Sequence, residues 1–327
     1  MSKNTIKTVR KYARSNATKK SINVDINNLT LTQMFEKFMV YKETEGLTKT
    51  TLDGYHINFK YLINFTDGDL PKNEITLDLF RSFIGYMLNE KGLSPVTVNV
   101  RIRTTRAFIK HCYIEGWIDE PIHERFKPLK TKEDTLESFT PSEIKSLINS
   151  IDDSTFRGYR DLVIVYTLLD TMVRCSELIK IRRENVDLKN GSIQLEALGT
   201  KMKRARVVPL SSNTIKLLKE YMDETSDFDS RELFVTYEGK PLSDNTVRKN
   251  LQDWGKIAGI HNKRVSPHTF RHTGALFYIL NGGDPFSLQK ILGHTDMSMV
   301  RKYIQMTNMD VKRQHNLYSP INFIEKN

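Results

Sequence analysis

The sequence predicts a mainly α-helical protein with a small antiparallel β-sheet, divided into two domains. Amphipathic helical patterns run through most of the 327 residues, and few short segments read as strands. A chain of this length is too long to fold around one hydrophobic core and is suited to two domains. A charged, proline-containing segment at residues 119–139 supplies the boundary. We therefore expect a helical N-terminal domain and an α+β C-terminal domain.

The charge balance favours a polyanionic partner. The chain has 50 Lys and Arg against 39 Asp and Glu, a net charge of +11, and nucleic acid is the commonest partner of such proteins. The longest apolar run, residues 162–169, is too short to cross a membrane. The two cysteines, Cys112 and Cys175, lie far apart without a CxxC pattern, which predicts no disulfide framework and fits a reducing cytoplasm.

Four segments follow one another along the chain. Residues 1–25 carry seven Lys or Arg and one acidic residue, and they form either a phosphate-contacting arm or a solubilising tail. Residues 26–118 form the predicted helical domain, 119–139 the linker, and 140–327 the mixed domain with a C-terminal docking tail.

The helical domain contains two similar segments, residues 46–65 and 92–111, which both open with Gly-Leu and a Thr or Ser N-cap. The helix before them buries one apolar face and stops at Gly46. The second segment concentrates polar and basic residues with almost no acid, a face that suits a DNA groove, although a solvated face is the plain alternative. The expected DNA contacts are Lys49, Thr97, Asn99, Arg101, Arg103, Arg106 and Lys110.

The mixed domain begins with a capping signal, Thr140 to Glu143. One continuous helix is expected over residues 160–181, two strands at 192–198 and 206–210 around a basic turn, and a short strand at 233–239. Further helices are expected at residues 213–222, 244–259, 267–281, 284–293 and 297–306.

This domain carries a series of residues suited to chemistry on a phosphodiester, in which cations stabilise developing charge and a further group protonates the leaving oxygen. In chain order they are Arg174 (with Glu177 one helical turn later), Lys201 in the basic turn, His268 and Arg271 on one helical face, His294 after a glycine, and Tyr303. Each of these residues alone can have a purely structural role, such as a helix-face ion pair, a helix cap or a packed tyrosine.

Together, in this order and with Tyr303 nine residues after His294, they resemble the tyrosine recombinase (phage integrase) family, notably its Xer and transposon-integrase members. That family's pattern is Arg, Lys on a β-hairpin, HxxR, LGH and Tyr. The resemblance covers residues 140–310 closely and 29–118 more loosely. It implies a helical, SAM-like core DNA-binding domain followed by an α+β catalytic domain.

The resemblance also implies roles. Tyr303 attacks the scissile phosphate and leaves a 3′-phosphotyrosine and a free 5′-hydroxyl. Arg174 and Arg271 clamp the phosphate oxygens, and His294 donates a further hydrogen bond. Lys201 protonates the leaving oxygen, and His268 assists proton transfer from the tyrosine.

The lysine has rivals at the same turn. Lys203 is the second choice as general acid, because a shift in register exchanges it with Lys201. Lys203 and Arg204 are otherwise expected DNA contacts. Glu177 is expected to orient Arg174 or its helix rather than to do chemistry.

The family resemblance implies double-stranded DNA with paired recombination sites as the partner, and a homotetramer that exchanges C-terminal tails. No cofactor is expected, since the phosphotyrosyl bond conserves the energy of the cleaved bond. A metal site of His268, His272 and His294 is disfavoured, because no carboxylate or thiolate lies nearby at ligand spacing. The alternatives are a type IB topoisomerase and a catalytically silent DNA-binding regulator on the same fold.

Departures from the family pattern concern the surroundings of these groups. Met172 stands where a glycine is common, Cys175 follows the arginine, and Gly274 is expected to interrupt the helix after HxxRH. Val300 and the pair Arg301-Lys302 replace the usual residues before the tyrosine.

Overall fold

The computed structural model describes residues 29–131, 137–197, 205–293, 296–306, 315–316 and 319–321. The chain divides into two compact units, Met1–Glu133 and Asp134–Asn327. Each unit has a hydrophobic core formed by its own residues. The expected basic arm, residues 1–25, lies outside the described residues, as does most of the tail beyond residue 306.

The architecture is mainly helical with one small sheet, as the sequence predicts. In the described residues, the helices of the first unit are α1 (Leu31–Thr44), α2 (Lys49–Phe65), α3 (Leu77–Gly85), α4 (Pro95–Ile114) and α5 (Ile122–Arg125). Those of the second unit are α6 (Pro141–Ser150), α7 (Phe156–Thr171), α8 (Cys175–Leu178), α9 (Ser212–Glu224), α10 (Asp244–Ile257), α11 (Pro267–Leu280), α12 (Pro285–Leu292) and α13 (Ser298–Met306). None of these helices is long and apolar enough to span a membrane.

Local sequence signals set several helix starts. Thr30 and Gln33 form a capping box at the start of α1, and Thr140 and Glu143 form the predicted one at α6. In α4, the side chain of Ser94 accepts a hydrogen bond from a backbone amide, and proline occupies the first helical position. The predicted apolar face of α1 is confirmed, since its members Leu31, Met34, Phe35 and Phe38 are all buried.

The first unit extends beyond the predicted boundary at residue 118. Helix α5 lies inside the expected linker, and its Ile122 is buried in the core of the first unit together with the following Phe126. The dense charge of the segment masked this packing, because two apolar side chains suffice to dock so short a helix. Residues 119–131 therefore belong to the first unit, which ends at Glu133.

The sheet has three antiparallel strands in the order β1 (Val186–Asp187), β2 (Ser192–Leu195) and β3 (Arg206–Pro209). In the register of β2 and β3, Ile193 pairs with Val208, and both are buried. The two longer strands are those that the sequence predicts, whereas β1 was not predicted. The strand expected at residues 233–239 is absent from the sheet of the described residues. Buried Val235 forms only an isolated bridge with Pro241.

The helix expected over residues 160–181 is broken in two. Met172 ends α7 in the left-handed conformation, with φ +53° and ψ +28°, a backbone state uncommon for residues other than glycine. Arg174 then adopts an extended conformation and serves as the N-cap of α8. The chain therefore changes direction just before Arg174, the first of the catalytic candidates in the sequence.

Helix α11 continues past Gly274, so the expected interruption is wrong. A Cβ atom at this position would lie 2.4 Å from the carbonyl oxygen of Leu169 and 2.8 Å from Cγ of Met172. The glycine thus permits α11 and α7 to pack with their backbones in close approach. Helix α11 also packs against α12 and α13, which brings three segments of the sequence pattern together.

Candidate active site

Arg174 is held by the carboxylate of Glu177. Its Nη1 donates to Oε1 of Glu177 at 3.0 Å, and its backbone amide donates to Oε2 at 2.9 Å. The glutamate side chain is only 1% exposed, whereas that of Arg174 is 23% exposed. The predicted contact between these two residues is confirmed, and the arginine still reaches the surface.

Arg206 makes a second, unexpected ion pair with Glu177. Its Nη1 and Nη2 donate to the two carboxylate oxygens at 3.1 and 2.7 Å, and its Nε donates to the carbonyl oxygen of Ile291 at 2.9 Å. Burial alone raises the pKa of Glu177, but hydrogen bonds from Arg206 and from the Arg174 amide outweigh it and hold the pKa below the ordinary value. One buried carboxylate therefore connects β3, α8 and the end of α12.

Arg271 is positioned by main-chain carbonyls. Its Nη1 donates to the carbonyl of Met172, and its Nη2 donates to that of Leu292 at 2.8 Å. The residue is 3% exposed, and burial, followed by the nearby charge of Arg174, lowers its pKa to about 9. The guanidinium therefore remains charged at neutral pH.

One cavity gathers three of the predicted residues, Arg174, His268 and Arg271. Arg248 also lines it, paired with Asp244 through an Nε–Oδ2 distance of 2.8 Å. Sequence reasoning missed Arg248, because an Arg four residues after an Asp reads as an ordinary helix-face pair. The cavity presents more positive than negative charge, as a site for a phosphate group requires.

His268 is exposed at the cavity. Partial desolvation, followed by the positive charges of Arg271, Arg174 and Arg248, lowers its pKa. The imidazole is therefore neutral at pH 7 and can accept or donate a hydrogen bond there.

Tyr303 lies in α13 and is 1% exposed. Its hydroxyl oxygen is 2.5 Å from Nδ1 of His272. Burial raises the pKa of Tyr303 to about 12, although the charge of Arg271 acts in the opposite direction. Sequence reasoning assigned the proton of this tyrosine to His268, but the histidine in contact with it is His272, which follows Arg271 in the chain. The sequence signal for it was weak, since a histidine after HxxR carries no spacing rule of its own.

The predicted DNA-binding face of α4 is only partly exposed. Arg103 and Lys110 are exposed, Thr97 is half-buried, and Lys49 is exposed at the start of α2. Asn99 is not on that face. It is 3% exposed, and its side-chain amide exchanges two hydrogen bonds with the backbone of Leu129, at 2.6 and 2.9 Å.

Two further arginines of α4 bind within the first unit. Arg106 Nε donates to the carbonyl of His123 at 2.8 Å. The guanidinium of Arg101 lies 3.9 Å from the centre of the Tyr61 ring, a cation–π contact. Both are half-buried, so each combines packing with a surface that remains accessible.

Lys201, Lys203, Arg204 and His294 lie outside the described residues. The ends of the segments that carry them are described. Strand β2 ends at Leu195, β3 begins at Arg206, and Gly293 closes α12 in the left-handed conformation. Within the described ranges, no three His, Cys, Asp or Glu residues group as metal ligands would.

Comparisons with known proteins agree with this arrangement. The chain matches the phage integrase family over residues 137–309 and the phage integrase SAM-like domain over residues 30–128. It is 28% identical to tyrosine recombinase XerC of Thermodesulfovibrio yellowstonii over 285 residues, which cover 85% of this chain and 91% of that protein.

Two solved structures share the fold. One is the Tn1549 transposon integrase in complex with a circular intermediate DNA, with a TM-score of 0.73, 20% identity, and coverage of 86% of this chain and 97% of that one. The other is a lambda integrase tetramer bound to a Holliday junction, with a TM-score of 0.71, 17% identity, and coverage of 88% and 83%. Since the family match extends over more than half of the chain and both of its domains are present, this protein belongs to the phage integrase family.

Proposed function

We propose that this protein is a site-specific DNA recombinase that cleaves and rejoins DNA through a 3′-phosphotyrosine intermediate. The observation that carries the proposal is that Arg174, His268 and Arg271 line one cavity. Beside it, His272 packs its ring against His268 and bonds the hydroxyl of Tyr303. Two guanidinium groups, an imidazole and a phenol are the groups that attack on a phosphodiester requires.

In the cleavage step, the hydroxyl oxygen of Tyr303 attacks the scissile phosphorus. The new O–P bond forms as the bond from phosphorus to the 5′ oxygen breaks, and the tyrosine loses its proton. Arg174 and Arg271 stabilise the negative charge on the non-bridging oxygens, and His294 donates a further hydrogen bond. The phosphotyrosyl ester keeps the energy of the cleaved bond, so the reaction requires neither ATP nor a metal ion.

The leaving 5′ oxygen takes a proton from a lysine of the segment between β2 and β3. Lys201 is our first choice and Lys203 the second. The Glu177–Arg206 pair supports this location, because it connects the first residue of β3 to the residue that holds Arg174. Arg206, which directly follows this segment in the chain, is thereby connected to Arg174 through Glu177.

The first unit supplies DNA binding. Arg103, Lys110 and Lys49 expose charge toward solvent, and such residues contact phosphates without reading sequence. Arg101, Arg106 and Thr97 are half-buried and keep part of their polar surface accessible. Lys203, Arg204 and the basic arm of residues 1–25 add further phosphate contacts.

The proposed assembly is a tetramer that holds two DNA sites in the cytoplasm and exchanges its C-terminal tails between neighbouring copies. The fold shared with the lambda integrase tetramer on a Holliday junction supports this assembly. Two rounds of cleavage and strand exchange then pass through such a junction.

The decisive experiment is covalent trapping. The full-length protein is incubated, in EDTA, with fragmented genomic DNA of the organism that encodes it, and denatured with SDS. DNA that remains attached is sequenced at its 3′ end. The wild type is expected to recover one recurrent sequence. Tyr303→Phe is expected to recover none, while the control Tyr278→Phe behaves as the wild type.

Each contrary outcome has a definite meaning. No attached DNA from the wild type overturns the recombinase proposal. Attached DNA from Tyr303→Phe overturns the choice of nucleophile. Attachment at scattered sequences, with relaxation of a supercoiled plasmid that lacks the recurrent sequence, identifies a type IB topoisomerase instead.

A further inference from the structure

The hydroxyl of Tyr303 has a specific partner within the described residues. Nδ1 of His272 lies 2.5 Å from the oxygen, and the two ring centres are 5.9 Å apart. The contact joins α11 to α13, which pack against each other. It connects residues 31 positions apart, so it depends on the tertiary fold rather than on local spacing.

Both side chains of this contact are buried. Tyr303 is 1% exposed and His272 is 7% exposed. The same burial raises the pKa of Tyr303 to about 12, so the hydroxyl is protonated at neutral pH. A nucleophile in this position therefore needs a side chain, rather than bulk solvent, to receive its proton.

His268 occupies a different place. It is exposed at the cavity, four residues before His272 on α11, and the two rings pack edge to face with centres 4.4 Å apart. His272 thus contacts both the tyrosine hydroxyl and His268, which lines the cavity. The histidine of the HxxR motif lines the cavity, and His272 is the histidine that contacts the tyrosine hydroxyl.

We propose that His272 is the proton acceptor of Tyr303 in DNA cleavage, a catalytic role separate from that of His268. This inference rests on the proposed recombinase function. As the Tyr303 oxygen forms its bond to phosphorus, the O–H electron pair becomes the new lone pair on that oxygen and the proton moves to Nδ1 of His272. The 5′ oxygen leaves with the electrons of the broken P–O bond and takes a proton from the lysine. On rejoining, His272 returns its proton to the tyrosine oxygen.

The role sets a requirement on the imidazole. Nδ1 must be unprotonated to accept, so the neutral ring carries its proton on Nε2. His268 then serves the phosphate rather than the nucleophile, which its exposure at the cavity and its lowered pKa suit.

The test uses His272→Asn in the full-length protein. Asparagine places an amide oxygen close to the position of Nδ1, so it still accepts a hydrogen bond, but it does not take up a proton. The substrate is duplex DNA that carries the sequence recovered by covalent trapping. We expect a cleavage rate about 10²-fold lower, with DNA affinity and thermal unfolding unchanged. His261→Asn, an exposed histidine in the loop before α11, is the control and is expected to cleave as the wild type.

A second variant separates proton transfer from structure. A fluorinated tyrosine with a lower phenol pKa is introduced at position 303 by nonsense suppression. Because it loses its proton more readily, cleavage depends less on a general base. It is expected to restore most of the rate that His272→Asn loses, and to restore little in Arg174→Ala, where the clamp is missing. A substrate with sulfur in place of the 5′ oxygen, a better leaving group, is expected to rescue Lys201→Ala but not His272→Asn.

Three outcomes would overturn the inference. Cleavage by His272→Asn at the wild-type rate would show that His272 does not accept the proton of Tyr303. A slow variant that the fluorinated tyrosine does not rescue assigns His272 to structure alone. Rescue of His272→Asn by the sulfur substrate would show that His272 protonates the leaving 5′ oxygen instead. Failure of the wild type to cleave any DNA is a separate result, which overturns the proposed function itself.

Discussion

Glu177 and Arg206 form a two-point ion pair, with the two terminal guanidinium nitrogens 3.1 and 2.7 Å from the two carboxylate oxygens. The same carboxylate receives two hydrogen bonds from Arg174. Sequence spacing suggested Arg174 as a partner of Glu177 but not Arg206. The glutamate therefore joins Arg174, part of the proposed phosphate clamp, to β3, the strand that follows the segment with Lys201.

Removal of this carboxylate is expected to destabilise the second unit. Glu177→Ala leaves two arginines with their shared anion gone, one of them with a side chain only 11% exposed, and breaking a buried pair in this way costs about 3–5 kcal/mol. The free energy of urea unfolding measures the loss. Trp254 fluorescence in a Trp117→Phe background confines the signal to the second unit.

The matched control is Glu184→Ala. Glu184 also pairs with an arginine, Arg182, but its side chain is 68% exposed, and such pairs contribute about 0–1 kcal/mol. If the two variants lost the same free energy of unfolding, the Glu177 pair would contribute no more to stability than an exposed pair.

The same carboxylate predicts a pH dependence of stability. Its pKa is below the ordinary 4.5 in the folded state, so its ionised form is stabilised by folding and the contribution is complete above about pH 4.5. It is lost as the pH falls through the folded-state value. The difference in unfolding free energy between the wild type and Glu177→Gln should therefore narrow from neutral to acidic pH. A difference that stays constant, or grows, would contradict the sign of the shift.

Gly274→Ala is expected to destabilise the protein. The added methyl group would lie 2.4 Å from the carbonyl oxygen of Leu169, a backbone atom that moves only if α7 moves. Overpacking of this kind costs about 1–3 kcal/mol, and thermal unfolding would reveal it.

Gly54→Ala supplies the opposite expectation. This glycine lies within α2, and a Cβ atom there meets nothing within 4 Å. Alanine at such a helical position stabilises by about 0.5–1 kcal/mol. If both alanine variants were equally stable, the close approach of α11 and α7 would have no energetic consequence.

DNA affinity should distinguish the exposed from the buried residues of α4. Arg103→Ala or Lys110→Ala is expected to weaken binding uniformly across sequences and to reduce the dependence of log K on log salt by about one unit. Asn99→Ala is expected to lower stability instead, because it removes both hydrogen bonds to Leu129. Fluorescence anisotropy over a salt series, with thermal unfolding in parallel, checks each. An unchanged salt slope in both lysine and arginine variants would remove α4 from the DNA interface.

Local signals were the predictable part of the fold. The capping boxes at Thr30 and Thr140 and the buried face of α1 depend on residues a few positions apart, so the sequence contains the whole interaction. The strand pair β2–β3 was predictable because its apolar residues flank one short turn. The fold class and the family are confirmed.

The rest depended on tertiary contacts. No spacing rule predicts that Met172 adopts a left-handed conformation, and without it residues 160–181 read as one helix. Asn99 read as a DNA contact because its buried partner, Leu129, lies 30 residues away. The partner of Tyr303 was missed for the same reason, since the packing of α13 on α11 selects His272 rather than its neighbour on the same face. The assignments of the catalytic residues stay predictions until the trapping experiment.

The anchoring of Arg271 bears on how this site tolerates change. Its guanidinium donates to the carbonyls of Met172 and Leu292, and every amino acid provides a carbonyl. Substitutions at these two positions leave the acceptors in place as long as the backbone path is kept. Methionine where a glycine is common is thus compatible with an intact clamp. The immediate neighbourhood of this arginine can diverge in sequence during evolution while the charge stays at the same point in space.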